Sequence, residues 1–179
     1  MNNFKYPVLN VKSVSDTLSI DLTSVKSFLR IDISDDDSLI TRLIKTATTE
    51  CEAQINKTII EKTYIYSIYD LKSKVIHLPF PPVKSITSIK IIDYEEKITI
   101  VENTHYYFDG INGTINFDTE FSNFYRIDIE YIAGMIEINP ELIQALLMHI
   151  ASMYENKNGD LEIPVYTMNV YSRYKRIKL

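Results

Sequence analysis

Apolar positions along this chain follow two different periods, and the switches between them mark its parts. In NPELIQALLMHIASMYENKN, residues 139–158, Leu142, Ile143, Leu146, Leu147, Ile150, Met153 and Tyr154 recur every three or four residues, which places them on one wide helical stripe. Asn139 can cap the first turn, and Pro140 takes the first helical position, where its missing N–H costs nothing. Glu141 suits the positive end of the dipole, and Asn156 to Gly159 supply breakers, so a helix is predicted over about residues 140–156. Two more helices are predicted near the N-terminus. Val25, Phe28 and Leu29 share a face behind Asp21 or Thr23 as cap, over about residues 22–31. Leu39, Ile40, Leu43, Ile44, Ala47, Cys51 and Ile55 form a second stripe over about residues 35–56, with Ser34 and Asp37 spaced as a capping box.

From about residue 58 to 132 the period becomes strand-like. KTIIEKTYIYSIYD, KVIHL, SITSIKIID, KITIV, HYYF, TINFD and YRIDIEYI are rich in β-branched and aromatic residues, with FPP, DYEEK, DGING and TEFSN as turns between them. In YRIDIEYI, Ile127, Ile129 and Tyr131 alternate with Arg126, Asp128 and Glu130, as in a strand buried on one face. The expected fold is therefore α+β. A helical core, made of two N-terminal helices and one long C-terminal helix, has an antiparallel β-sheet or small barrel of roughly five to seven strands inserted between its halves. The two longer helices are expected to bury their stripes against each other. Residues 1–20 show no sustained period and read as an extended leader, residues 21–170 as a single domain, and residues 171–179 as a tail.

Composition narrows the class. At 179 residues, 45% hydrophobic and 24% charged, the chain can close a core. No run approaches the roughly 20 apolar residues of a membrane span, and the start lacks the layout of a signal peptide. One cysteine, Cys51, permits no internal disulfide and fits a reducing compartment. The net charge of −5 disfavours a broad embrace of nucleic acid or an anionic membrane. The tail YSRYKRIKL runs against that balance, holding Arg173, Lys175, Arg176 and Lys178 with no acid, and Tyr171 and Tyr174 between them. Amphipathic aromatics beside cations suit a protein interface or phosphates, so these six residues are candidates for partner binding.

No constellation of catalytic residues emerges. Asp35, Asp36 and Asp37 lack the alternation and glycine of a calcium loop and read as helix-start acids. Cys51 lies on an apolar stripe and reads as core. His77, His105 and His149 have no zinc-sharing spacing, Glu95 and Glu96 fall in a turn, and the four glycines Gly110, Gly113, Gly134 and Gly159 make no phosphate loop. Tyr64, Tyr66, Tyr106, Tyr107 and Phe108 read as sheet packing, because a base-stacking platform comes with a basic groove. No catalytic, metal or cofactor residue is assigned.

Taken in order, LTSVKSFLRIDISDDDSLITRLIKTATTECEAQI, PPVKSITSIKIID, IEYIAGM and PELIQALLMHIASMYENKN resemble the head-tail connector, or head-completion adaptor, family of tailed bacteriophages and related particles. The most specific pieces are the LRID-x-x-DDD-x-LI junction and the helix bearing Ala145, Ala151, Tyr154, Glu155 and Asn156. The resemblance runs from about residue 21 to the C-terminus, and it implies a ring protein without enzymatic activity or cofactor. The implied partners are a portal protein, neighbouring copies in a dodecameric ring, and the next head-completion or tail-terminator protein, with DNA as passing cargo and no membrane. The implied place is the head-tail junction of a virion of phage, prophage or gene-transfer type, after assembly in the host bacterial cytoplasm. An extended C-terminal segment reaching the portal makes Tyr171, Arg173, Tyr174, Lys175, Arg176 and Lys178 the expected portal contact. Ile143, Leu147 and Tyr154 are subunit-interface candidates. Members of the family often carry an early strand tryptophan, which this chain lacks; Tyr64 or Tyr66 takes that packing role. The competing readings are a nucleic-acid-binding module using the basic tail and a small hydrolase. The first predicts steep salt dependence and the second requires a perturbed acid or base in a pocket.

Overall fold

Each predicted helix forms, and its ends follow local chemistry. In α1 (Leu22–Leu29) the Asp21 carboxylate accepts from the backbone N–H of Ser24 at 2.8 Å and from its hydroxyl at 2.6 Å, and Arg30 closes the helix in the left-handed region at φ 58°. Helix α2 (Asp37–Ile55) ends the same way at Asn56, φ 54°. Its start departs from the expected capping box: Ser34 is engaged through its carbonyl, which accepts from Asp37 N at 3.1 Å, and no side chain caps the helix. The acids are used between helices instead. Lys26 of α1 donates to Asp37 at 2.7 Å, and Tyr154 of α3 (Pro140–Glu155) donates to Asp36 at 2.5 Å.

The computed structural model describes residues 6–69, 71, 73–120, 124–156 and 162–176, and divides into a helical unit (Asp16–Ile60 with Met135–Leu179) and a sheet unit (Met1–Ser15 with Glu61–Gly134). In the helical unit α2 and α3 bury their stripes against each other, as their periodicity predicts: Ile40, Ile44, Ala47, Cys51 and Ile55 share one core with Leu142, Ala145, Leu146, Ile150 and Met153. A fourth helix, α4 (Val165–Tyr174), adds Val170 and Tyr171 to that core. The sequence reading missed α4 and left these residues to the end of the domain and a tail. Its buried positions Thr167, Val170 and Tyr171 do follow helical spacing, but Pro164 at the cap offers no side-chain acceptor and β-branched and aromatic residues blur the pattern. At the end of α2 the Glu52 carboxylate accepts from Ile59 N at 2.7 Å and Ile60 N at 3.2 Å, satisfying buried donors of the loop.

The sheet unit holds two open antiparallel sheets and no closed barrel among the described residues. One has the order β1 (Val8–Val14), β2 (Lys62–Tyr69), β8 (Arg126–Ala133), β4 (Val83–Ile92), β5 (Ile98–Ile100); the other has the order β3 (Val75–His77), β7 (Thr114–Phe117), β6 (Tyr106–Asp109). Residues 8–14, within the expected leader, are thus an edge strand paired to β2 with a register irregularity between Val11 and Ser13. Strand β8 buries Ile127, Ile129, Tyr131 and Ala133 on alternate positions, as its alternation predicts. Tyr64 stacks on Tyr131 with ring centroids 5.3 Å apart and on Phe80 at 6.1 Å, and the Tyr131 hydroxyl donates to the Pro79 carbonyl at 2.8 Å. Gly113 turns the chain between β6 and β7 at φ 62°, where a side chain would be strained.

Candidate assembly surfaces

The basic C-terminal residues separate into an inner and an outer set. Tyr171 lies fully buried, its hydroxyl 3.3 Å from His149 Nδ1, in the same core as Cys51. Burial is the first cause that pushes the Cys51 thiol up to about 12 and the Tyr171 phenol upward as well, so both stay protonated near neutral pH. His149 is equally buried; desolvation lowers its pKa, and Glu50, whose carboxylate lies 3.4 Å from Nε2, opposes that only in part. The imidazole is therefore neutral in the fold. Thr167 also docks inward, donating to the Ala145 carbonyl at 3.3 Å.

On the same helix Arg173 faces outward, and Tyr174 is half-buried at the margin of the helical core. Both donate to the Glu141 carboxylate, the Tyr174 hydroxyl at 3.1 Å, so the first turn of α3 holds the last turn of α4. Beyond the helix, Arg176 N donates to the Ile55 carbonyl at 2.8 Å and the Asn56 side chain reaches the Arg176 carbonyl at 3.4 Å. Lys175 is exposed, and Lys178 lies outside the described residues. The segment Tyr171–Arg176 is thus tied to the helical unit, with the Arg173 side chain still half-exposed.

Of the predicted interface residues, Ile143 and Leu147 are half-buried at the margin of the helical core, and Tyr154 is held by its bond to Asp36. The structure exposes other apolar side chains that periodicity did not single out. In the helical unit these include Ile33, Ile136 and Val165, Ile136 being 91% exposed. In the sheet unit they include Val11, Val14, Tyr94, Ile98 and Ile100. Isolated apolar residues in short loops and edge strands carry no periodic signal, which is why the sequence did not reveal them.

His77, His105 and His149 are not brought together with acids or the thiol into a metal-binding group among the described residues. A shallow, open depression is lined by Lys45, Thr46, Thr49 and Glu50. No helix among the described residues is long and apolar enough to cross a membrane.

Comparison with known proteins agrees with this architecture. A chain from the virion of a native gene transfer agent particle superposes with a TM-score of 0.79 at 19% identity, covering 96% of each chain. Chains from the neck of the empty particle, computed with C6 symmetry, and from the neck of the native particle, computed with C12 symmetry, match with TM-scores of 0.78 and 0.76 at 18% identity, covering 96% of this chain and 97% of each of those. No curated protein sequence matches. The sequence model of head completion proteins matches residues 19–160, running through the helices α1 to α3 and the sheets between them, and the chain accordingly belongs to the head completion protein family.

Proposed function

We propose that this protein is a structural head-tail connector, which forms a ring beneath the portal of a phage-like particle, extends the DNA channel and joins head to tail. The observation that carries the reading is the family match across residues 19–160, supported by likeness over nearly the whole chain to proteins of a virion neck. The C12 and C6 symmetries of those neck structures support a twelve-membered ring for this chain too. Its contribution is to position other proteins rather than to make or break bonds. Assembly takes place in the host bacterial cytoplasm, and the finished protein resides at the head-tail junction.

Portal contact falls to Arg173, Tyr174, Lys175, Arg176 and Lys178, with Tyr171 as the anchor that fixes α4 to the helical core. Ile143, Leu147 and Tyr154 contribute to contacts between copies from the margin of that core. The acidic body keeps the channel wall from gripping phosphates. Mixing the protein with purified portal and imaging the product by electron microscopy tests the reading: a ring stacked on the portal is expected, and free portal at saturating protein would overturn it.

A further inference from the structure

Both outer strands of the five-stranded sheet are exposed along their length. Six of the seven residues of β1 are exposed, and all three of β5. Strand β1 ends the sheet on one side and β5 on the other, with no further strand on either among the described residues. Val11 is 53% exposed on the first edge, Ile98 and Ile100 59% and 66% on the second. An exposed apolar edge is a template for another strand unless it is covered.

The hydrogen bonds of β5 say which of its groups are available. Asp93 N donates to the Lys97 carbonyl at 3.2 Å, and Val101 N donates to the Ile89 carbonyl at 2.9 Å. Antiparallel pairing alternates every residue, so the odd positions turn their backbone groups toward β4 while Ile98 and Ile100 turn theirs away from it. Those N–H and C=O groups take no part in the sheet of this chain.

Building on the connector reading, we propose that the β1 edge of one copy pairs with the β5 edge of the next, so that the sheets run on from subunit to subunit. Ring symmetry requires two different complementary patches, and one sheet with two open ends provides them. Charge favours this pairing over two copies of β5 meeting. Asp93, Glu95, Glu96 and Glu102 flank β5 along the chain, against Lys97 and the Lys90 that lies opposite Ile100, whereas β1 carries Lys12 and no acid. Lys12, although paired with Glu130 at 2.7 Å, keeps a half-exposed side chain. Strand direction is set as well. Four antiparallel steps separate β1 from β5, so the two run the same way within a copy. A twelve-fold ring turns each copy by only about 30°. Joining edges of like polarity therefore makes the new pairing parallel.

The test compares Ile98→Pro and Ile100→Pro with the unmodified protein, each mixed with purified portal and imaged, alongside thermal melts of the free proteins. Proline at these positions removes an outward N–H that β4 does not use, so the free protein is expected to melt normally while ring occupancy on the portal is lost. Normal rings from both variants would overturn the pairing and leave the connector reading intact, whereas no ring from the unmodified protein would overturn both. Hydrogen exchange on the unmodified protein decides the matter even if a variant fails to fold. Amides on β1 and those of Ile98 and Ile100 must gain protection together in the ring, and protection of β5 alone, or of neither edge, sinks the proposal.

Discussion

The helical unit and the sheet unit solve the same burial problem in opposite ways. Four helices close on one another, and the polar groups at their ends are used internally: Asp36 by Tyr154, Asp37 by Lys26, Glu141 by Arg173 and Tyr174, Glu52 by its own loop. The sheet unit seals one layer around Tyr131 and Tyr64 but leaves strands exposed at both ends of its larger sheet. A helix satisfies its backbone within itself, whereas a sheet passes its unsatisfied groups to its edges. Backbone pairing is therefore completed within the helices and left open at the two edges of the larger sheet.

The sharpest way to break this contrast is through the two cores. Tyr131→Ala removes a fully buried ring, its stacking with Tyr64 and the partner of the Pro79 carbonyl; a loss of about 3–5 kcal/mol is expected. Leu146→Ala is expected to lose about 2–5 kcal/mol from the helical core. Urea unfolding gives the size of each loss, and hydrogen exchange gives its location. Destabilisation that stays within the substituted unit supports two separate cores; equal loosening of both units by either substitution would contradict the comparison.

Acid provides a smaller effect confined to the helices. His149 has a folded-state pKa below that of the unfolded chain, so the unfolded state takes up protons first. Its contribution is complete above about pH 6.5 and is lost as pH falls from there toward the folded-state pKa. Protection of α3 and α4 is expected to weaken between pH 7.5 and 5.5 more than that of β8, and His149→Gln to flatten the difference. The same pH dependence in the variant would assign it to another group.

The smallest effect is expected at the α3–α4 surface. Arg173→Ala breaks an exposed pair with Glu141 and costs no more than about 0.5 kcal/mol of stability, measured by urea titration. Under the proposed function, portal binding is expected to weaken while the melt is unchanged. The reverse outcome would make Arg173 a structural strut.

Much of the fold was legible because it rests on periodic patterns. The stripes of α2 and α3 and the alternation of β8 report burial directly, and Asn139 with Pro140 marks a helix start whose cap bond, from Glu141 N to the Asn139 side chain at 2.9 Å, is present. Strand β1 was not legible, because VLNVKSV owes its conformation to the ladder of β2, more than 40 residues away in the chain. The candidate surfaces were legible only in composition. The basic tail stands out in the sequence, but nothing in YSRYKRIKL says that its first tyrosine is inside and its first arginine outside.

By itself, then, the sequence determined the α+β class, the three principal helices, the strand-rich insertion and the family, all of which depend on local period and motif order. Tertiary structure alone decided that the acids at the start of α2 tie helices together, that Tyr171 joins His149 and Cys51 in the core, and that β1 and β5 lie at opposite ends of one sheet. These depend on contacts between residues far apart in the chain, whose cost in loop closure is offset only when the whole core forms at once.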